Sequence, residues 1–160
     1  MGLSAGLLPD NEQARLAAVA RYSILDTGRE EVFDRLTALT ARLLDTTGSM
    51  ISFVDSERVW VKSALGVDVT EVPRHEAMCA MTIMRDEPYL VPDASADPRW
   101  KDIPLVAEKG LRFYAGAPLK TADGFALGGL CVLDPEPREE TAATPRRART
   151  RGGTAPRTGR

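Results

Sequence analysis

LRFYAGAPLKTADGFALGGLCVLD, residues 111–134, is the stretch that decides the fold. Two apolar runs of period two flank Asp123-Gly124, a pair that favours a tight hairpin turn. A two-residue turn there pairs Gly116 with Cys131; a turn centred one residue earlier pairs Gly116 with Gly129. Both registers have the same parity, so the faces are the same in each. One holds Leu111, Phe113, Ala115, Ala117, Leu119, Ala126, Gly128, Leu130 and Val132. The other holds Arg112, Tyr114, Gly116, Pro118, Leu127, Gly129, Cys131 and Leu133. The first is a plain core face. The second lacks bulk at Gly116 and Gly129, between Tyr114 and Cys131. Glycine inside a strand costs about 0.5–1 kcal/mol relative to alanine, and it marks a bulge or a close approach by backbone or ligand. The gap reads as the floor of a small-molecule pocket, or as a seat for a helix or loop.

Upstream, the periodicity alternates between helix and strand. Asp10 and Asn11 are placed to cap a helix over Glu12–Arg21, with Leu16, Val19 and Ala20 on one face. Thr27-x-x-Glu30 has the spacing of a capping box. A second helix, about 30–45, follows with Val32, Phe33, Leu36, Leu39, Thr40, Leu43 and Leu44 at helical spacing. From Ser49 the period becomes two, with SMISFVD and RVWVKSA as strands around a DSER turn. Val59 and Val61 share one face of the second strand; Arg58, Trp60 and Lys62 share the other. HEAMCAMTIMR, 75–85, returns to helical character, PYLVPD is a short strand, and ASADPRWKDIP is a loop held by prolines. Hairpins with helices before and between them predict an α+β fold, an antiparallel sheet with helices on both faces.

Composition sets the class. The 160 residues are 43% hydrophobic and 28% charged, as in a globular domain with its own core. No apolar run is long enough for a membrane span, and MGLSAGLLPD lacks the basic and long apolar regions of a secretory signal. Gly6 stands where a myristoylation signal needs Ser or Thr. The two cysteines, Cys79 and Cys131, read as reduced thiols, and the expected location is cytoplasmic. A single histidine, His75, and no Cys-x-x-Cys pair speak against a structural zinc site. The net charge of −2 is uneven: six Arg and no acid in 141–160 leave −8 on 1–140. The expected organisation is a flexible 1–9, a folded 10–138 and an Arg-rich disordered tail, 139–160.

On these segments together the chain resembles a GAF domain of the bacterial signalling subfamily. NEQARLAAVARYSILDT, FDRLTALTARLLDT, ISFVDSERVWVKSALGVDVTEVPR, DEPYLVPDASADPRW and the opening hairpin carry the resemblance, in that order. It implies a central antiparallel sheet of about six strands with helices on both sides. It also implies a non-catalytic sensory or regulatory role, through a small-molecule ligand or through pairing with another copy, and a signalling output protein as partner. A homodimer through the N-terminal helices is the expected assembly. Trp60, Cys79, Tyr114, Gly116, Gly129 and Cys131 are the candidate ligand-binding residues, beneath the loop 92–110. The resemblance identifies no cofactor. Three departures bear on the site: Cys79-Ala80-Met81 replaces the Cys-Ala-His common in relatives, Gly129 replaces a frequent Thr, and an arginine tail replaces the closing amphipathic helix. The first two make the expected pocket less polar. The third has the composition of a truncated or frameshifted ending.

The alternative reading is a cysteine-based redox sensor or GAF-type thiol reductase. His75 and Cys79, four apart on the expected middle helix, would face each other, and an imidazolium lowers a thiol pKa. The competing reading makes Cys79 core filling with Met78, Met81, Ile83 and Met84. A bilin site lacks its histidine at Ala80, and Asp102-Ile103-Pro104 lies in a loop. The arginine tail lacks the interleaved aromatics of a single-strand nucleic-acid binder. Asp93, Asp97 and Asp102 sit among prolines, where Asp makes turns rather than metal or acid sites.

Overall fold

The computed structural model describes residues 8–139. The expectations for the first residues and for the arginine tail lie outside these, apart from Leu8, Pro9 and Glu139. Helix α1 (Glu12–Tyr22) and helix α2 (Glu31–Leu44) precede the hairpin β1 (Gly48–Val54) and β2 (Arg58–Leu65). A short β3 (Glu71–Pro73), α3 (Cys79–Thr82), β4 (Tyr89–Val91) and α4 (Pro104–Ala107) follow, and the chain closes with β5 (Phe113–Lys120) and β6 (Ala126–Asp134). The six strands form one antiparallel sheet in the order β3-β2-β1-β6-β5-β4. Residues of α1 and α2 pack with Ile51, Phe53 and Leu127 on one face, while residues of α3 and the α4 loop pack with Met50, Val54, Tyr114 and Cys131 on the other. The α+β architecture is therefore the expected one.

The last hairpin has the register of a two-residue turn but not the turn itself. Gly116 pairs with Cys131, yet Thr121 pairs with Phe125 across a three-residue loop ending at Gly124, whose φ is +92°. Thr121 Oγ1 accepts the Phe125 N–H at 2.9 Å and fixes this loop. Lys120 then pairs with Ala126 and Leu119 with Gly128, leaving Leu127 as an extra residue. This bulge restores the register and reverses two assignments. Leu127 lies on the α1 face and Ala126 on the α3 face, the opposite of strict alternation.

Tertiary contacts revise three local expectations. The capping box is not formed: Thr27 Oγ1 donates to Ile24 O and accepts from Lys62 Nζ, and Glu30 pairs with Lys62. Helix α1 buries Arg15, Ala18 and Val19, while Ala20 is exposed. The middle helix is broken. Arg74–Glu76 is a 3₁₀ turn, Ala77 is extended, and only Cys79–Thr82 is α-helical. His75 is thereby exposed and beside Glu76, so the His75–Cys79 pairing does not exist.

Helix α2 seats on the sheet with its small and polar side. Thr37 and Ala41 are buried, Thr37 Oγ1 lies 3.0 Å from Ser63 Oγ, and Ser63 donates to Asp34 at 2.6 Å. Val32, Leu36, Leu39 and Leu43 point away and are 44–60% exposed.

Candidate functional site

Under the loop 92–110 the sheet carries an apolar cavity of about 60 Å³. Met50, Val61, Tyr114 and Leu133 form its floor, from four different strands. Ile103 and Leu105 form its roof, and Met78 and Cys79 one wall. Half-buried Glu76 and exposed Pro104 stand at its rim, so the space reaches the surface. The roof is held by the loop's own anchors. Trp100 Nε1 donates to Tyr89 Oη at 2.9 Å, and Asp93 and Asp97 accept backbone N–H groups of Ser95 and Arg99 as turn residues do. This volume is room for roughly four water-sized spheres.

The glycine gap lies beside this cavity and is filled by protein. A Cβ on Gly116 would stand 2.4 Å from Tyr114 Oη and 2.8 Å from Thr82 Oγ1; one on Gly129 would stand 3.3 Å from Thr82 Cγ2. Helix α3 occupies the space, and the Thr82 and Tyr114 hydroxyls meet there at 2.8 Å. Gly116 and Gly129 thus make room for α3 rather than for a ligand. Trp60 lies on the other face of the sheet, with Phe33 and Lys62. Of the six candidate residues, the structure brings together Cys79, Tyr114, Gly116 and Cys131, with Gly129 beneath Thr82, and only Cys79 and Tyr114 line the cavity. The bulge beside Gly128 carries the closest glycine contact instead: a Cβ there would lie 1.9 Å from Ser52 O. That requirement is not visible in strand periodicity, because it depends on the neighbouring strand.

Buried polar groups converge on Cys79. Tyr114 Oη donates to Cys79 Sγ at 3.4 Å and lies over Gly116, the cross-strand partner of Cys131, and Ser52 Oγ is buried without a hydrogen-bond partner. The Cys131 contact, working against burial and aided by Ser52 and Tyr114, lowers the Cys79 thiol to about 7. The contact with Cys79 and burial push Cys131 the other way, and burial beside both thiols raises Tyr114 well above the phenol range. Cys79 is therefore the thiol whose charge this cluster favours. Cys79 and Cys131, 52 positions apart and both expected at the pocket, do share one buried cluster, although only Cys79 reaches the cavity.

On the opposite face, a second buried polar cluster ties α1 down. Arg15 donates to Val54 O at 2.8 Å and Ala126 O at 3.3 Å. Glu12 accepts from Arg15 at 2.8 Å and from Arg74, which also donates to Asp55 O at 3.0 Å. Burial raises the Glu12 carboxyl, but the two guanidinium groups outweigh it and hold the carboxyl at about 2.

Comparison with known proteins agrees with this architecture. The GAF domain family model matches residues 28–148. The chain is 41% identical over 131 residues to the cyclic di-GMP phosphodiesterase PA2567 of Pseudomonas aeruginosa, a match that covers 81% of this chain and 22% of that protein. The chain thus spans about a fifth of that relative's length. Among solved structures, the GAF domain of an Acinetobacter phosphoenolpyruvate-protein phosphotransferase superimposes with TM-score 0.56 at 15% identity, covering 88% of this chain and 85% of that one. The free methionine-R-sulfoxide reductase of Neisseria meningitidis superimposes with TM-score 0.57 at 18% identity, covering 82% and 76%. At such identities the two structures speak for the fold alone.

Proposed function

The chain belongs to the GAF domain family, and from that premise we propose that it is a non-catalytic sensory module that binds a small, uncharged, mostly apolar molecule. The cavity under the α4 loop carries this reading. Its walls are aliphatic except for the Tyr114 hydroxyl, the Cys79 thiol and the rim carboxylate of Glu76. Such a site selects by shape and by one or two polar contacts. Its size suits a few heavy atoms, and a nucleotide would need several times the space. The relative named as a cyclic di-GMP phosphodiesterase is several times longer than this chain, and in our reading its matching segment biases an attached output. The same role, in the cytoplasm, is proposed for this chain.

Xenon or benzene, which occupy dry apolar cavities, test the site. The expected result is chemical-shift change in Met50, Val61 and Leu133 methyls, abolished by Val61→Phe with the fold retained. No shift in the unaltered protein, or shifts that survive Val61→Phe, overturn the reading.

A second observation favours dimerisation alongside ligand binding. Val32, Leu36, Leu39 and Leu43 follow a 4-3-4 spacing, the seam of a two-helix contact, and all four are exposed. Leu90, Ala115, Ala117 and Leu130 continue this apolar surface beside Thr40 and Leu44. The proposed occupant is α2 of a second copy. Sedimentation velocity is expected to show a dimer that Leu39→Glu with Leu43→Glu converts to monomer. A monomeric unaltered protein at micromolar concentration removes this part of the proposal.

A further inference from the structure

The sensory reading leaves unused a pair of thiols that the fold brings into one buried cluster from α3 and β6. Cys79 and Cys131 are 2% and 1% exposed and are the only two cysteines of the chain. Each has a reason to be inert, since buried thiols commonly are core filling. Three features of their setting point elsewhere. Cys79 and Cys131 lie in one buried cluster, and the Tyr114 hydroxyl that touches Cys79 Sγ at 3.4 Å sits over Gly116, the cross-strand partner of Cys131. Cys79 also lines the cavity, which gives a small solute a path to its sulfur. The Tyr114 hydroxyl donates to the Cys79 sulfur, an arrangement that favours a thiolate over a thiol.

We propose that Cys79 and Cys131 are an intramolecular redox pair, oxidised to a disulfide by hydrogen peroxide entering through the cavity. In the first step the Cys79 thiolate attacks one peroxide oxygen. An S–O bond forms, the O–O bond breaks, and the departing hydroxide takes a proton to leave as water. Cys79 becomes a sulfenic acid. In the second step the Cys131 sulfur attacks the Cys79 sulfur. The S–S bond forms, the S–O bond breaks, and hydroxide leaves as water with the Cys131 proton. Two thiols and one peroxide give one disulfide and two waters. A dithiol reductant reverses the change.

The second step requires one local movement. A disulfide needs Cα atoms roughly 4.4–6.8 Å apart, and α3 is a single four-residue turn that follows the extended residue Ala77. The proposal has that turn shift toward β6 until the sulfurs reach bonding distance, while the strand stays paired. Because Cys79 is both a cavity wall and the α3 residue that moves, the disulfide would change the cavity's shape. The proposal uses the cavity only as an entrance, so it stands separately from ligand binding.

The experiment treats the purified 160-residue protein with a slight molar excess of hydrogen peroxide at neutral pH. Intact mass, free-thiol count and a non-reducing peptide map are read before and after dithiothreitol. The expected product loses two hydrogens and both free thiols, links the Cys79 and Cys131 peptides within one chain, and returns to the dithiol on reduction. In Cys131→Ser a dimedone adduct is expected at Cys79, while Cys79→Ser leaves Cys131 unreacted. Unreacted thiols in the unaltered protein, a link between two chains, or sulfinic acid as main product overturn the proposal. The unaltered protein alone decides it if either variant fails to fold. Xenon binding with unreactive thiols sinks only this inference; a disulfide without xenon binding sinks only the ligand reading.

Discussion

The two faces of the sheet differ in how much polar bonding joins their apolar packing. On the α1–α2 face, a smaller apolar cluster around Val19, Ile51, Phe53 and Leu127 is joined by buried polar contacts: Arg15 with Glu12, Thr37 with Ser63, and Lys62 with Thr27, Gly28 and Glu30. Leu36, Leu39 and Leu43 of α2 are left outside. On the α3–α4 face, the larger cluster is mostly apolar, with the Trp100–Tyr89 hydrogen bond and the group around Cys79 and Tyr114 inside it. The first face adds charge and hydrogen bonding to its apolar contacts and offers an apolar surface outward. The second keeps its apolar residues inside and leaves a cavity among them. In the proposed sensory role, the first face is the surface for a second copy and the second is the space for a ligand.

The sharpest test of the contrast is Arg15→Ala. It removes one of the two guanidinium partners of half-buried Glu12 and the donor to Val54 O and Ala126 O together. A loss of about 3–5 kcal/mol in urea unfolding is expected, the range for breaking a buried pair. A loss below about 1 kcal/mol would mean that α1 is held by apolar contact after all.

Adjacent glycines sharpen the comparison next. Gly128→Ala drives a Cβ into the main chain of β1, which cannot yield, and should cost about 3 kcal/mol or more. Gly129→Ala meets only the movable Thr82 methyl and Ala117 O at 3.3 Å and should change stability by less than about 1 kcal/mol. Equal effects in thermal unfolding would contradict the placement of the bulge.

Acid should weaken the α1–α2 face selectively. Glu12 is held at about 2 in the folded protein, below its ordinary 4.5. Its contribution is complete above about pH 4.5 and is lost as pH falls through about 2. Glu12→Gln should be less stable near neutral pH and show a shallower decline on acidification. Parallel declines for both proteins would remove Glu12 from the account. The smallest expected effect is that of Leu39→Glu on the stability of the isolated monomer, within about 0.5 kcal/mol, since its side chain is already half in water. A larger loss would show that α2 packs its leucines inward.

Much of this was legible beforehand. Asp123-Gly124 between runs of period two located the final hairpin, and the pairing of Gly116 with Cys131 was one of its two registers. Val59 and Val61 do share a face opposite Trp60 and Lys62. What escaped depends on neighbours. Trp60 has the composition of a pocket residue, but the β2 pleat points it at Lys62 and Phe33. His75 and Cys79 have helical spacing, but Ala77 is extended and separates them. The leucines of α2 look like a core stripe because periodicity records that a face is apolar and not what covers it.

The sequence by itself determined α1, α2, the two long hairpins and their antiparallel pairing, because turn chemistry and hydrophobic period act over a few residues; the order of its motifs carried the family resemblance. Only the tertiary structure decided that the middle helix breaks at Ala77, that α3 fills the glycine gap, that Leu127 bulges, that the α2 stripe faces outward and that Tyr114 meets Cys79. Each of these turns on contacts between segments far apart in the chain. Which distant side chain arrives at a given spot is fixed when whole layers pack, since two groups cannot occupy one volume and buried polar groups must find partners.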